Sequence, residues 1–468
     1  MSLWLEIFFA LILFSTVIVI IAENRHPVKT IAWVLVLIFL PVLGLILYFF
    51  FGMNKKHERL IKDDDLRKLK QNTADLYSEH ISEAPYSAHK DLVNLLWTTN
   101  MAFPLKGNDI KVYTAFDPMF ADLLADLNAA KDHIHFEFFI FQNDEIGRQV
   151  SEILIRKAHE GLDVRVQYDD VSNLRWKPFF RKMVREGVMV QSFIKVVLPI
   201  LSRNTNYRNH RKVVVIDGKI GYLGGMNIAK RYSVGIHGGK WRDTHCRITG
   251  PAVSEMQTSF LVDWQFSSKE LLTGLRYYPK IEPQGGVMMQ IATSGPMDKW
   301  QVIMQGIVRM INHTKDYIYI QSPYLIPTES ILFALRNAAL SGVDVRIMIP
   351  YRGDKGILPP LATRSFVQEV LDAGVKVYFY EPGYMHSKAI VSDDKVCTIG
   401  SANMDVRSYE QDFEINAFIY DEDVAKTVKA AFLEDQKICH PVDPAKWPKR
   451  GIWRRFKESL ARIVSPLL

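Results

Sequence analysis

The stretch Asn209-His-Arg-Lys-Val-Val-Val-Ile-Asp217 decides how this chain is interpreted, because its pattern occurs twice. The second copy, Met385-His-Ser-Lys-Ala-Ile-Val-Ser-Asp393, also reads His-x-Lys, then four residues, then Asp. Each copy is followed by a glycine-rich turn that ends in asparagine, Gly224-Gly-Met-Asn227 and Gly400-Ser-Ala-Asn403. One His-x-Lys motif is weak evidence, but two at corresponding places, with similar followers, are hard to explain by packing alone.

The two motifs belong to a longer internal repeat. Gly161-Leu-Asp-Val-Arg-Val recurs as Gly342-Val-Asp-Val-Arg-Ile, and the matching blocks keep the same order in both halves. In each half a β-branched or aromatic run is followed by a helical pattern and then by another apolar run. That alternation is typical of strand, helix, strand units around a buried sheet. The sequence therefore predicts an α/β fold with two repeated lobes, at residues 100–275 and 285–440.

The spacing within each motif points to phosphoryl chemistry. Residues two apart in a strand face the same side, so His and Lys of each copy project together. A histidine can attack phosphorus, and an ammonium can neutralise the non-bridging oxygens as charge builds in the transition state. The asparagine and the N–H groups of the glycine turn add further donors. If the lobes face each other, His210 and His386 can divide the roles of nucleophile and general acid, with no metal or cofactor required.

The N-terminal region predicts a membrane anchor. Residues 3–21 and 30–51 are apolar runs, each of about the ~20 residues that a helix needs to cross a bilayer, which predicts a transmembrane hairpin over residues 1–54. A cleaved secretory signal is disfavoured because the first run lacks a basic leading segment and an A-x-A-like cleavage site. The segment after the second run is richer in Lys and Arg than the loop between the runs. It predicts a multi-pass protein of the cell membrane with its lobes on the cytoplasmic side.

Composition bounds the answer without choosing a function. The net charge of +7 suits acidic lipid or nucleic acid equally well. The three cysteines lack the short paired spacing of a zinc site or disulfide framework, so we expect reduced thiols. Residues 55–99 read as a charged linker. Residues 441–468 read as a basic amphipathic tail that either lies on acidic lipid or packs on its own domain.

The paired motifs resemble those of the phospholipase D superfamily, and the resemblance covers both lobes. The opening stretch from Glu23-Asn-Arg-His-Pro to Phe51-Gly52 resembles the N-terminal hairpin of bacterial cardiolipin synthases. The motifs Asn209-His-Arg-Lys and Gly400-Ser-Ala-Asn-Met-Asp405 also resemble motifs of these enzymes. This resemblance implies two lobes of mixed β-sheets packed by helices, with the site at their interface. It also implies a reaction at the bilayer in which two phosphatidylglycerol molecules form cardiolipin and release glycerol through a phosphohistidine.

The resemblance carries specific residues with it. In the family that the chain resembles, the histidine of the first motif is favoured as the nucleophile, so the resemblance assigns that role to His210. The implied catalytic residues are His210, Lys212, Asp217, His386, Lys388 and Asp393. The implied substrate-binding residues are Asn227, Ser401 and Asn403, and the acid that orients a histidine falls on Glu414.

The first copy departs from the pattern in two places. Gly225 stands where the second copy has Ser401, and no acid lies at the matching distance after Asn227. Asp243, in Trp241-Arg-Asp-Thr, is the predicted replacement. A role for Asp243 as an ordinary loop carboxylate stays open, since Asp is favoured in turns.

Several functions remain compatible with these motifs. The rivals are a hydrolytic phospholipase D, another phosphatidyltransferase such as a phosphatidylserine synthase, and a non-catalytic scaffold that binds anionic lipid. The two intact His-x-Lys pairs favour an enzyme over a scaffold. A nuclease would gain nothing from a membrane hairpin, so we expect phosphatidylglycerol, cardiolipin and the bilayer as partners, and no nucleic acid. A homo-oligomer stays open.

Overall fold

The computed structural model describes residues 3–22, 27–52, 60–81, 89–196, 206–354 and 356–467. The chain divides into two compact units, Met1–Glu58 with Val196–Asn206, and Arg59–Lys195 with Tyr207–Leu468. The second, larger unit carries both His-x-Lys motifs.

The smaller unit is helical. It contains α1 (Leu3–Ala22), α2 (Pro27–Phe39) and α3 (Pro41–Leu47), followed by a π-helical turn, Tyr48–Gly52. Pro41 opens α3, where its missing N–H costs no helical hydrogen bond, so the second apolar run is divided into two helices. Within the described ranges, no helix combines the length and the apolar character needed to span a bilayer. The helices are therefore present, the connecting residues 23–26 lie outside the described residues, and membrane crossing stays a prediction.

The larger unit starts with two helices and then repeats one order of elements. The leading helices are α4 (Asp63–Tyr77) and α5 (Lys90–Asn100). The strands of the first half are β1 (Leu105–Tyr113), β2 (His133–Phe138), β3 (Asp163–Asp169), β4 (Met189–Phe193), β5 (Arg208–Asn209), β6 (Lys212–Ile216), β7 (Ile220–Gly224), β8 (Trp241–Arg242) and β9 (His245–Thr249). Its helices are α6 (Phe116–Ala129), α7 (Glu145–His159), α8 (Lys177–Arg185), α9 (Arg231–Val234) and α10 (Val253–Ser268).

The second half follows the same plan and adds an edge strand and a C-terminal helix. Its strands are β10 (Val287–Ser294), β11 (Tyr317–Gln321), β12 (Asp344–Pro350), β13 (Lys376–Tyr380), β14 (Tyr384–Met385), β15 (Ala389–Ser392), β16 (Val396–Gly400), β17 (Asp412–Tyr420) and β18 (Cys439–Pro441). Its helices are α11 (Val302–His313), α12 (Glu329–Leu340), α13 (Leu358–Asp372), α14 (Val406–Glu410), α15 (Glu422–Gln436) and α16 (Ile452–Ile463).

One large mixed sheet joins the halves. From its centre the first half runs β1-β9-β7-β6-β2-β3-β4, and the second runs β10-β17-β16-β15-β11-β12-β13-β18. The outer strands β2, β3 and β4 pair in parallel, whereas the inner ones pair antiparallel. The antiparallel pairing of β1 with β10 connects the two halves. The α/β fold and the mixed sheet agree with the sequence-based prediction, and the structure adds that hydrogen bonds run continuously between the lobes.

The core explains why the strands of the motifs read as unbroken apolar runs. Val213, Val214 and Val215 of β6 are all fully buried, because β6 is covered on both faces. One hydrophobic cluster takes residues from both halves, among them Val215 and Ile291.

Part of the predicted linker packs as a helix on the larger unit. In α4, Leu69 is fully buried and the Lys70 ammonium pairs with the Glu255 carboxylate of α10. α5 also lies almost wholly within the predicted linker, and linker residues 55–59 and 82–88 lie outside the described residues.

Candidate active site

The first His-x-Lys motif is held by the second half of the chain. β5 pairs in parallel with β17, so that Asn209 lies opposite Phe413. The next residue, His210, donates its backbone N–H to the Phe413 carbonyl at 2.9 Å. The histidine therefore enters the site along a strand of the other half.

The second motif is held in the reciprocal way. β14 pairs in parallel with β8 of the first half, and the His386 N–H donates to the Arg242 carbonyl at 2.7 Å. The hydroxyl groups of Thr244 and Ser387 lie 2.6 Å apart and share a hydrogen bond. Both motifs consequently lie where the two halves meet.

Each histidine is oriented by an acid of the opposite half. The Glu414 oxygens lie 2.9 and 3.1 Å from Nδ1 of His210. The Asp243 Oδ2 lies 2.6 Å from Nδ1 of His386. Because a carboxylate only accepts hydrogen bonds, Nδ1 carries the proton in both rings, and in a neutral ring Nε2 keeps its lone pair. The arrangement leaves one basic nitrogen on each ring for chemistry.

Electrostatics keep the unliganded histidines neutral and their acids charged. Burial lowers the pKa of His210 to about 4 and that of His386 to about 3. Burial alone would raise the pKa of Glu414, but His210 and Lys212 hold it below its ordinary value. In the same way His386 and Lys388 hold the pKa of Asp243 down against burial. Each neutral ring therefore lies beside one charged carboxylate and one lysine, and its Nε2 is available as a nucleophile or base.

The two lysines lie in a single electrostatic site. Each ammonium donates to the backbone carbonyl of its own histidine, at 2.5 Å for Lys388 and His386. Burial lowers the pKa of Lys212 to about 7 and that of Lys388 to about 8. Lys388 also lowers the pKa of His210 from across the interface. A bound phosphodiester anion would stabilise the charged form of both lysines.

The glycine turns explain the departure of the first copy from the second. In the second copy the Ser401 hydroxyl donates to Glu414 and accepts from the Ile415 N–H at 2.9 Å. In the first copy a Cβ on Gly225 would collide with the Asp243 carboxylate. A short acid close to the turn and a missing side chain therefore replace the longer Glu and the serine.

The asparagines of the two turns have different surroundings. The Asn227 amide oxygen accepts from the Ile140 N–H at 3.0 Å, and its NH₂ donates to the Tyr232 hydroxyl at 2.5 Å. The Asn403 amide oxygen is buried and has no hydrogen-bond partner among the described residues. Asn227 thus holds the loop in place, whereas Asn403 keeps an unsatisfied group beside the second motif.

The structure does not bring Asp217 and Asp393 to the histidines. Asp217 accepts from the backbone N–H groups of residues 131–133 at 2.8 to 3.2 Å, at the start of β2. Asp393 does the same with residues 315–317 at the start of β11. Six residues lie between each aspartate and its histidine, which places the two roughly 20 Å apart along an extended chain. These carboxylates tie strand ends together, away from the reacting nitrogens.

Several side chains of the site were missed by sequence reasoning. The Phe139 ring lies 4.6 Å from the His210 ring, and the Trp241 ring 5.2 Å from that of His386. Arg211 donates to the Glu414 carbonyl at 3.1 Å and pairs with the buried carboxylate of Asp263. An arginine between the histidine and lysine of a buried strand is itself a signal, because such a charge requires a partner.

The sequence matches two families of known proteins. The sequence matches the family described as "Cardiolipin synthase, PLD-like domain" over residues 123–264 and 307–436. It matches "Phospholipase_D-nuclease N-terminal" over residues 10–52. Among the described residues no group of three or more His, Cys, Asp or Glu side chains is arranged to hold a metal.

Curated relatives match from end to end. The major cardiolipin synthase ClsA of Bacillus subtilis (strain 168) is 41% identical over 481 residues, covering 100% of this chain and 99% of the relative. A cardiolipin synthase of Listeria monocytogenes serotype 4b is 39% identical over 476 residues, covering 99% of this chain and 98% of the relative. The crystal structure of phosphatidylserine synthase from Haemophilus influenzae Rd KW20 shares the fold, with a TM-score of 0.61 at 16% identity, over 81% of this chain and 99% of that one. The chain therefore belongs to the cardiolipin synthase family of phospholipase D-like proteins.

Proposed function

We propose that this family member is a cardiolipin synthase that transfers a phosphatidyl group from one phosphatidylglycerol to the hydroxyl of another. The observation that carries the proposal is the reciprocal arrangement of the two histidines, each oriented by an acid of the opposite half. Two imidazoles at one interface supply a nucleophile on one side of a phosphodiester and, once the second ring is protonated, a general acid on the other.

In the first step Nε2 of His210 attacks the phosphorus atom and forms a P–N bond. The P–O bond to glycerol breaks, and His386 protonates the departing oxygen. His386 gains that proton when the phosphodiester anion binds, since a nearby negative charge raises the pKa of an imidazole. Lys212 and Lys388 neutralise the non-bridging oxygens, and Glu414 stabilises the charge that develops on the His210 ring.

In the second step the primary hydroxyl of a second phosphatidylglycerol resolves the intermediate. His386, now neutral, takes the hydroxyl proton while the oxygen attacks phosphorus and the P–N bond breaks. Water has to be kept out, because hydrolysis would yield phosphatidic acid instead. The aromatic rings of Phe139 and Trp241 beside the histidines support this exclusion.

The apolar runs of α1 to α3 anchor the protein in the cell membrane, with the larger unit on the cytoplasmic side. The family match over residues 10–52 and the basic segment from Lys55 to Lys70 support this placement. A Lys446→Cys substitution in a Cys439→Ser background, in which Cys246 and Cys397 are buried, should react with a membrane-impermeant thiol reagent only in inside-out vesicles. Labelling in right-side-out vesicles would reverse the orientation.

Incubation of the purified protein with labelled phosphatidylglycerol tests the reaction. Cardiolipin together with free glycerol is the expected result. Phosphatidic acid would identify a hydrolytic phospholipase D. Transfer only to an added alcohol other than phosphatidylglycerol would identify a different phosphatidyltransferase. Binding without any product would leave a lipid-binding scaffold.

The assignment of His210 as nucleophile has its own test. In a His386→Ala protein, which lacks the acid and base, an acid-labile phosphoryl adduct should accumulate on His210. The matched His210→Ala protein should form no adduct. An adduct on His386 in that second protein would exchange the two roles.

A further inference from the structure

The C-terminal helix α16 presents an apolar stripe to solvent. Its exposed side chains are Ile452, Trp453, Phe456, Leu460 and Ile463, with Trp453 at 74% and Ile463 at 76% exposure. At 100° per residue these five positions fall within an arc of about 100°. Arg455 and Lys457 flank the stripe on its two sides.

The opposite side of α16 is fixed against the larger unit. Glu458 and Ala461 are buried, at 2% and 1% exposure. Glu458 accepts from the Arg450 guanidinium at 2.7 Å. Arg462 pairs with Glu369 of α13 and lies 4.1 Å from the centre of the Phe366 ring. The orientation is therefore the reverse of an ordinary surface helix, with charged groups toward the protein and apolar groups outward.

A chain of contacts leads from the helices α13 and α16 to the site. Arg364 of α13 donates to the Tyr351 carbonyl at 2.8 Å, in the loop before α13. In the same loop Asp354 accepts from the Tyr384 hydroxyl at 3.4 Å. The Tyr384 ring lies 5.9 Å from that of His386. Ile357, at the start of α13, is 77% exposed.

We propose that α16 lies in the surface of an anionic lipid bilayer, with its apolar stripe among the acyl chains and its basic flanks at the headgroups. An anionic bilayer is favoured because its charge is complementary to that of the helix: Arg455 and Lys457 border the stripe, and the chain has a net charge of +7. The proposal deepens the proposed function, on which it rests for the identity of the lipid substrate. Docked in this way, the helix holds the larger unit against the layer that supplies its lipids.

A second copy of the chain fits the stripe less well. Five side chains on one helix are far fewer than the roughly 20–30 residues that each partner contributes to a specific interface. An antiparallel pair of such helices would also bring the basic flanks of both copies together, where like charges repel.

A fluorophore on the stripe tests the docking directly. The full chain carries Cys439→Ser and Phe456→Cys, and an environment-sensitive label is attached to the cysteine introduced at position 456. The other two cysteines, Cys246 and Cys397, are buried and should not react with the label. The control carries Phe333→Cys on α12, a position 63% exposed. In vesicles of equimolar phosphatidylglycerol and phosphatidylcholine, the label at 456 should shift to the blue and be quenched by brominated acyl chains, and that at 333 should not. Phosphatidylcholine vesicles should give a weaker effect, as should high salt.

An activity comparison separates this inference from the proposed function. Phe456→Glu should lower the turnover of phosphatidylglycerol in vesicles about thirtyfold, since it removes apolar area and adds a charge to the stripe. Its turnover of lipid dispersed in detergent micelles should stay at the wild-type rate, and Phe333→Glu should match the wild type in both.

Two outcomes would overturn the docking. One is equal labelling behaviour at 456 and 333 in anionic vesicles. The other is a disulfide between two unlabelled copies of the Phe456→Cys protein, which would make the stripe a self-association surface. Quenching at 456 in a protein that produces no cardiolipin would instead refute the proposed function and leave the docking intact.

Discussion

At the scale of single residues, the two histidines share a motif but differ in how each is held. His210 faces both oxygens of Glu414, whereas His386 faces one oxygen of Asp243. A carboxylate fixes the tautomer of its histidine and stabilises positive charge on the ring. In the proposed mechanism, His210 gains such charge when it is phosphorylated, and His386 gains it when it holds the proton for the leaving group.

Neutralising either acid should therefore impair turnover. We expect Glu414→Gln and Asp243→Asn each to lower the rate about 10²- to 10⁴-fold, as the loss of a positioned general acid–base system does. Rapid-quench measurement of the phosphohistidine should show slower formation for both proteins. Asp126→Asn, which breaks an ion pair with Arg247 outside the site, is the matched control and should keep the wild-type rate. Equal rates in all three proteins would refute the role of the acids.

The lysines predict the pH dependence. In the folded protein the pKa values of Lys212 and Lys388 are lowered to about 7 and about 8. A lysine loses its charge as pH rises through its folded pKa, so kcat/KM for phosphatidylglycerol should begin to fall above about pH 7, where Lys212 loses its charge. It should fall more steeply above about pH 8, where Lys388 follows, by about tenfold per pH unit for each lysine lost. Initial rates between pH 6 and pH 10 measure this, with circular dichroism as a check on folding. A profile that is flat to about pH 10 would contradict the lowered pKa values, because a lysine of ordinary pKa keeps its charge up to about that pH.

At the scale of elements, the aspartates of the motifs act as staples between strands. Asp217 and Asp393 both adopt positive φ, at 53° and 52°, and accept hydrogen bonds from three consecutive backbone N–H groups. The repeat in the sequence singles these two residues out, but it does not indicate whether their role is catalytic or structural. Sequence spacing places them in the motif. Only the folded structure shows that their carboxylates bind the starts of β2 and β11, away from the histidines.

Replacing such a staple should cost stability and spare the chemistry. Asp393→Asn keeps a side chain that tolerates positive φ but loses acceptor strength, so we expect the free energy of unfolding to fall by about 1–3 kcal/mol. The turnover per folded molecule should remain within about twofold of the wild type. Denaturant titration and active-site counting separate the two quantities. A loss of turnover at full folding would return Asp393 to the catalytic set.

The turn at Gly225 should tolerate no side chain. A Cβ there collides with the Asp243 carboxylate, so Gly225→Ala should displace Asp243 from His386 and reduce turnover about as much as Asp243→Asn does. Gly286→Ala is the matched control, because a Cβ at that position meets no neighbour. Kinetics on both proteins test the difference. Wild-type turnover in Gly225→Ala would show that the acid is not needed at its observed place.

At the scale of the whole molecule, the repeat predicted most of the architecture and part of the site. Period-2 and helical patterns are local, so the strands and helices around each motif could be anticipated. The pairing of β1 with β10 and the exchange of acids between halves are long-range features. Nothing in the spacing of Glu414 indicates that it orients His210 rather than the histidine of its own copy. Asp243 was identified by elimination, and only the structure supplies its partner, His386.

The joined sheet should make the larger unit unfold as one body. Ile291 lies in the cluster shared by both halves, Phe136 in that of the first and Ile320 in that of the second. Truncating a buried Ile or Phe to Ala lowers the free energy of unfolding by about 2–5 kcal/mol. Because β1 and β10 join the sheets, the protein should unfold in a single calorimetric transition. Each of the three substitutions should lower the midpoint temperature of that transition without splitting it in two. If Phe136→Ala and Ile320→Ala instead moved two separate transitions, the halves would be independent domains. The acid exchanged across the interface would then be lost whenever one half opened, and activity would disappear at the lower of the two midpoints.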